Sequence, residues 1–358
     1  MQAIQKSNTD PGLTYLSNAP VPQITTPHDV IVKVKAAGIC GTDVHIYSAK
    51  PSLMSRMGPV LPLTIGHEFC GEIAELSHGV EGLEVGQYVS AEMHWTCGQC
   101  YNCRTGNGNW CNSHTVGGID QPGAFADYVK LPASAVVPLP PDLPLEVAAY
   151  LDAIGNSVYT VRSADVVGKD VAVLGAGPLG ILAVALCRLM GAKKIYVTDV
   201  SDYVLRVAKD EGADEIFNVS DPKQQAEFIK IATSDPMKSG LDVIFEMSGS
   251  PYAYADAFKT LRMGGEFVLL GLPSGELSVN FSSDVVLKGI TIRSIFGRRI
   301  FNTWMDMLAL LQGEFLNAAK RTVTHHFALA DFERGFQTKL AGEGLKVVLY
   351  PGGLPKAS

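Results

Sequence analysis

No long hydrophobic run exists in this chain: nowhere in its 358 residues do apolar side chains approach the ~20 in succession that cross a bilayer. The opening residues MQAIQKSNTD lack the basic start and apolar stretch of a secretory signal. No block of lysine or arginine appears, and a net charge of −7 with a pI near 5.6 removes the electrostatic footprint that nucleic acid would require. We therefore expect a cytoplasmic protein whose partner is a small molecule, with no nucleic acid and no membrane. Cysteine is sparse and odd in number, seven in all. Four of the seven crowd between residues 97 and 111, a spacing that suits a metal knot better than a disulfide scaffold.

What is present points to a folded α/β enzyme. A hydrophobic content of 47% against 18% charged residues supplies large cores, and 36 Gly with 20 Pro imply many tight turns. The length exceeds that at which a single core stops growing, so more than one domain is expected. From about residue 28 to 150 the chain reads as short strands and turns, with VIVKVKAAG (30–38) and GEIAEL (71–76) alternating apolar and polar positions in a barrel-like, all-β pattern. Near residue 156 the pattern changes to continuous apolar runs, VAVL (171–174), KIYVTD (194–199), LDVIFEM (241–247) and EFVLLG (266–271), separated by helical stretches. Such runs suit parallel strands buried on both faces. A helix over 301–312 and a last strand, KVVLY (346–350), follow. The expected division is 1–156 for the barrel-like part, 157–294 for a doubly wound parallel-sheet part, and 295–358 for a C-terminal return to the first.

VAVL runs directly into Gly175-Ala176-Gly177-Pro178-Leu179-Gly180 and then into a helical stretch ending at Gly191. In that context Gly175 permits the tight turn, Gly177 lets a pyrophosphate approach the backbone, and Gly180 lets the helix pack on the strand. Asp199 ends the next strand, where its carboxylate suits ribose hydroxyls and repels a 2′-phosphate, so NAD is favoured over NADP.

Cys97-x2-Cys100-x2-Cys103-x7-Cys111 offers four soft thiolates in a loop too short for a core of its own. Tetrahedral zinc satisfies all four and leaves no open position, so the site braces a lobe; thiolates alone also admit an iron–sulfur cluster. Cys40 in GICGTDVH with His67 and Glu68 in GHEF forms a mixed set that suits a catalytic zinc with an open position, although a core cysteine and a surface His-Glu pair give the same letters. Asp152, in LDAIGNSVY, is a fourth ligand, a group behind the ligands, or a helix cap.

Together CGTDVHIY (40–47), GHEF (66–69), CGQCYNC (97–103), PGAFADYV (122–129), GNSVYT (155–160), GAGPLGI (175–181), TDV (198–200), EMSG (246–249) and IFGRRIFNTW (295–304) resemble the zinc-containing medium-chain dehydrogenases, and within them the threonine-oxidising branch. The resemblance implies an N-terminal GroES-like β-barrel catalytic domain, a Rossmann doubly wound parallel-sheet cofactor domain, two zinc ions per chain, NAD and a homotetramer. It implies catalytic zinc on Cys40, His67 and Glu68, with Asp152 acting in proton transfer. Thr42 and His45 fall at the family's proton relay by way of a cofactor ribose, and His94 at a substrate contact. Leu179, Asp199, Leu270, Gly271, Leu272, Ile295 and Phe296 fall where the family contacts NAD. The implied reaction is oxidation of a secondary alcohol to a ketone, L-threonine to 2-amino-3-oxobutanoate first. A polyol, diol or amino-polyol is the alternative, and a non-catalytic NAD-binding homologue is the alternative of another class. Three positions depart from the pattern: Val204 replaces an arginine, Arg299 an acidic residue and Ala153 a proline.

Overall fold

A computed structural model describes residues 1–273 and 275–355. Two compact units emerge, one made of Met1–Ala153 with the chain from Val323 onward, the other of Ile154–Thr322.

In the first unit the long strand Asp29–Ile39 is the hub. It pairs antiparallel with Phe69–Leu76, Tyr128–Pro132 and Lys346–Tyr350. Apart from Lys33 and Lys35 it is buried along its whole length, so the alternation read in VIVKVKAAG survives only at its two lysines. The seven-stranded sheet packs Val30, Val32, Val34, Phe69, Phe125, Phe336 and Val347 into one core, each large side chain contributing about 1.5–3 kcal/mol. Pairing of Val347 with Ile39 and of Val348 with Gly38 lays the end of the chain beside the segment that carries Cys40.

The second unit holds a six-stranded, wholly parallel sheet in the order Glu215–Asn218, Lys194–Asp199, Asp170–Leu174, Leu241–Glu246, Leu261–Leu269, Thr291–Ser294. Strand Leu241–Glu246 is buried at every position, as Leu241, Val243, Ile244 and Phe245 require once helices cover both faces, and its buried Asp242 is paired with Lys238 and Arg262. Strand order reverses at Asp170–Leu174, the switch point where such sheets bind ligands beyond their carboxyl ends. The expected helix after residue 300 spans Asn302–Leu310.

The return to the first unit begins at Val323 and not at residue 295. Helix Gly313–Thr322, whose Phe315, Ala318, Ala319 and Thr322 are buried, packs on helix Pro178–Leu189 of the second unit, and that contact keeps the preceding segment there. Among the described residues no helix is long and apolar enough to cross a membrane.

Candidate active site

Cys40, His67 and Glu68 converge in the first unit with their ligand atoms within 4.8 Å of one another. Cys40 leaves strand Asp29–Ile39 and N-caps helix Gly41–Tyr47, where Asp43 closes a capping box by accepting from the Cys40 backbone N–H at 2.8 Å. His67 and Glu68 sit in the short link between strands Leu63–Thr64 and Phe69–Leu76. Gly66 there has φ +97, and a Cβ on it would run into the Phe125 ring. Gly38 is required on the other side, since a Cβ on it would stand 2.5 Å from the Glu68 carboxylate.

Behind these three lies a shell that spacing did not disclose. The Lys346 ammonium meets Glu68 Oε2 at 2.7 Å and Ile39 O at 3.3 Å, with both side chains buried. Burial disfavours its charge, but Glu68 and Cys40 outweigh that and raise its pKa, so Lys346 stays an ammonium. Lys339, also desolvated and beside Lys346, is pushed down to about 8. Asp43 Oδ1 faces His67 Nδ1 at 3.4 Å. Burial lowers the His67 pKa on its own account; Asp43 and Cys40 more than reverse this and raise it well above the ordinary imidazole range. Asp43 Oδ1 and His67 Nδ1 thus answer each other, whereas Glu68 Oε1 is buried without a hydrogen-bond partner. A buried carboxylate oxygen left without a donor is costly unless a cation satisfies it, and sulfur, imidazole and carboxylate together form a zinc donor set.

Asp152 lies instead with Glu92 and His94, their ligand atoms again within 4.8 Å. Glu92 Oε1 accepts from the His94 backbone N–H and meets its ring Nδ1, each at 2.9 Å. An acid two residues before a histidine was a readable signal for Glu92, and C-x-x-D was one for Asp43. Lys346, 278 positions from Glu68, had none. Thr42 is half-buried inside helix Gly41–Tyr47 rather than at its cap, and His45 is exposed on it. Partial desolvation and Lys50 lower the His45 pKa. Cys70 and Cys187 are buried in the core, the Cys70 thiol pushed up to about 12 by burial. His325 and His326 lie in strand Val323–Ala328.

The four knot cysteines also lie within 4.8 Å of one another. Sulfur separations are 3.5 Å for Cys100–Cys103, 3.9 Å for Cys100–Cys111 and 4.0 Å for Cys97–Cys103. A tetrahedron with metal–sulfur bonds of about 2.3 Å has edges of about 3.8 Å, so a zinc ion fits. Backbone N–H groups of Cys97, Cys100 and Ser113 point at the sulfurs. The N–H groups of Cys103 and Asn112 draw the Cys100 thiol down to about 6, whereas desolvation and the neighbouring sulfurs push Cys103 up to about 12.

In the second unit Gly177 N-caps helix Pro178–Leu189. Gly175 has φ +101, with Ser248 2.7 Å from where a Cβ would stand, and a Cβ on Gly180 would collide with the Gly175 carbonyl. Gly177 has open space there, the cradle a pyrophosphate needs. Asp199 accepts from the backbone N–H of Ala176, Val200 and Ser201 and lines a cavity of about 580 Å³ with Gly175, Thr198, Ser220, Gln225 and Tyr252. Leu179, Leu270, Gly271, Leu272, Ile295 and Phe296 lie outside that cavity. Leu270 and Gly271 donate to Glu246 O just beyond strand Leu261–Leu269, and Ile295 donates to Leu269 O. Val204 is half-buried on helix Asp202–Asp210 and Arg206 is exposed. Arg298 is buried over the Trp304 ring with Asn156, while Arg299 is exposed.

Residues 26–141 match the family described as an alcohol dehydrogenase GroES-like domain, and residues 178–313 that described as a zinc-binding dehydrogenase. L-threonine 3-dehydrogenase of Legionella pneumophila (strain Corby) is 41% identical over 98% of this chain and 99% of its own. The enzyme of the same name from Deinococcus radiodurans is 39% identical over 98% and 97%. Among solved structures, alcohol dehydrogenase TADH from Thermus sp. ATN1 superposes with a TM-score of 0.85 at 27% identity, covering 98% of this chain and 99% of that one. The 2R,3R-butanediol dehydrogenase from Bacillus subtilis superposes with a TM-score of 0.84 at 27% identity, over 98% and 99%.

Proposed function

The chain belongs to the zinc-binding medium-chain dehydrogenase family of alcohol dehydrogenases, and from that premise we propose that it oxidises L-threonine at its secondary hydroxyl to 2-amino-3-oxobutanoate, with NAD as acceptor. The observation that carries the reading is the convergence of the Cys40, His67 and Glu68 ligand atoms within 4.8 Å of one another, with Glu68 Oε1 buried and lacking a donor. In bound form, zinc supplies the Lewis acidity that lowers the pKa of the hydroxyl and NAD accepts the hydride from the carbinol carbon.

The chain's own residues do the rest. Cys40, His67 and Glu68 hold the catalytic ion; Lys346 opposes the burial that raises the Glu68 pKa, and Asp43 turns the His67 ring. The hydroxyl proton leaves towards Thr42 and His45, and His45, its pKa lowered, is neutral and able to accept it at neutral pH. His94 contacts substrate, with Asp152 beside it as a group behind the ligands. Cys97, Cys100, Cys103 and Cys111 hold a second, structural zinc, giving two per chain. Gly175, Gly177 and Gly180 shape the pyrophosphate turn, Asp199 selects NAD against NADP, and Leu179, Leu270, Gly271, Leu272, Ile295 and Phe296 line the remainder of the cofactor. The edge strand Thr291–Ser294 is exposed along its length, beside exposed Val286 and Leu287, and this edge supports assembly with further copies into a tetramer.

A panel of L-threonine, sorbitol, 2,3-butanediol and sugar-phosphate alcohols, followed by NADH absorbance, tests the substrate. L-threonine is expected to have the highest kcat/KM. Turnover confined to the diol would move the reading to a diol dehydrogenase. One zinc per chain without turnover would leave a non-catalytic NAD-binding protein.

A further inference from the structure

Glu92 has no part in the reaction as set out above, yet its carboxylate is almost fully buried, a costly placement for an acid unless donors meet it. His94 meets it twice: Glu92 Oε1 takes the His94 backbone N–H and the ring Nδ1, each at 2.9 Å. The backbone on either side is held as well. The Glu92 N–H donates to Ala135 O, the Gly117 N–H donates to Met93 O, and His94 opens a short strand opposite Val116. Two bonds from one oxygen to the main chain and ring of the same residue fix the angle of that ring.

We propose that Glu92 is a positioning residue that locks the orientation and tautomer of His94, an inference that rests on the reading of His94 as a substrate contact. A carboxylate is an acceptor, so the nitrogen facing it carries the proton. The His94 ring is therefore the Nδ1–H tautomer, and Nε2 presents a lone pair. That lone pair accepts from a substrate N–H or O–H, where the opposite tautomer would donate. Asp152, whose carboxylate completes the group with Glu92 and His94, adds a second acceptor to the same corner. The corner thus selects a donor-bearing group next to the reacting hydroxyl. Without Glu92 the ring is free to rotate and to exchange tautomers, and the acceptor is lost for part of the time.

A double-mutant cycle on the zinc-loaded, full-length enzyme tests the idea. H94A is expected to lower kcat/KM for the alcohol through KM, and E92A to lower it by a similar factor, about 10–100-fold. E92A/H94A should be no worse than H94A alone in kcat/KM, because a positioning role reaches the substrate only by way of the ring. In E92Q the amide oxygen still accepts both bonds, and most of the loss should be recovered. Zinc content and the Kd of NAD should not move in any variant. Losses that multiply in the double variant while H94A behaves as expected would overturn the role of Glu92 alone. An H94A enzyme with unchanged kinetics would overturn the substrate contact and the role of Glu92 with it. Should E92A fail to fold, selective ¹⁵N labelling of histidine in the wild-type enzyme decides. The Nδ1–H tautomer at His94 is expected, and Nε2–H would overturn the proposal whatever the substrate proves to be.

Discussion

Cys97, Cys100, Cys103 and Cys111 reach one another within a single loop, whereas Cys40, His67 and Glu68 meet only because strands Asp29–Ile39 and Phe69–Leu76 pair in one register. The loop site carries its own backbone donors to sulfur, from Cys97, Cys100 and Ser113. The strand-built site borrows its counter-charge from Lys346, at the far end of the unit's chain. A site closed within a loop can brace structure whatever happens elsewhere. One assembled across a sheet is positioned by the whole core, and that precision is what a reacting group needs.

Loss of one sulfur on each side should separate the two most widely. C40S is expected to lower kcat/KM by on the order of 10³-fold or more, the several kcal/mol a Lewis acid supplies, with NAD binding retained. C100S should leave kcat within about tenfold and lower thermal stability instead, each variant losing one zinc by metal analysis. Equal kinetic damage from both would erase the distinction.

The counter-charge gives the next contrast. K346M leaves the Glu68 carboxylate buried and unpaired, so about 3–5 kcal/mol of unfolding free energy should be lost in denaturant titrations of the metal-free protein. E68Q/K346M should regain part of it. Removal of a single charge near the knot should cost less, since its sulfurs take backbone N–H groups of Cys97, Cys100 and Ser113 from within the same stretch.

A control in the second unit sharpens both results. D199N removes a charge that accepts three backbone N–H groups and suits ribose hydroxyls. It should raise the KM for NAD by about 10–100-fold, the worth of charge-assisted hydrogen bonds, and narrow the preference over NADP. Zinc content should stay at the wild-type value, because no metal-binding residue lies in that unit's nucleotide turn.

The same contrast explains what could be read from the amino-acid order. The parallel sheet, the glycine turn and the knot were legible because each is encoded within a few tens of residues, by apolar runs, G-x-G-x-x-G and cysteine spacing. Asp43 and Glu92 carried weak local signals, a capping box and an acid near a histidine. Lys346 carried none, since its place beside Glu68 depends on Val347 pairing with Ile39, a register set by the core. The late return at Val323 was hidden for a similar reason. Helix Gly313–Thr322 has an apolar face that fits either unit on pattern alone, and only its packing on Pro178–Leu189 decides.

The smallest expected effect concerns acid. Asp43 and Cys40 raise the His67 pKa well above that of a free imidazole, against the burial that would lower it. In metal-free protein a raised pKa stabilises the fold most fully below the unfolded value of about 6.5, and that contribution is lost as pH rises through the folded value. Zinc requires the neutral ring, so in loaded protein the dependence reverses: retention weakens as pH falls, by up to about tenfold in affinity per pH unit for the one proton displaced. Thermal unfolding of wild type and H67Q between pH 5 and 8, with and without zinc, isolates the term, since the knot is common to both proteins. The wild-type advantage should shrink with rising pH when zinc is absent and grow when it is present. The same sign in both series would mean that His67 does not exchange its proton for the metal, and the strand-built site would then bind its ion by a set of donors different from Cys40, His67 and Glu68.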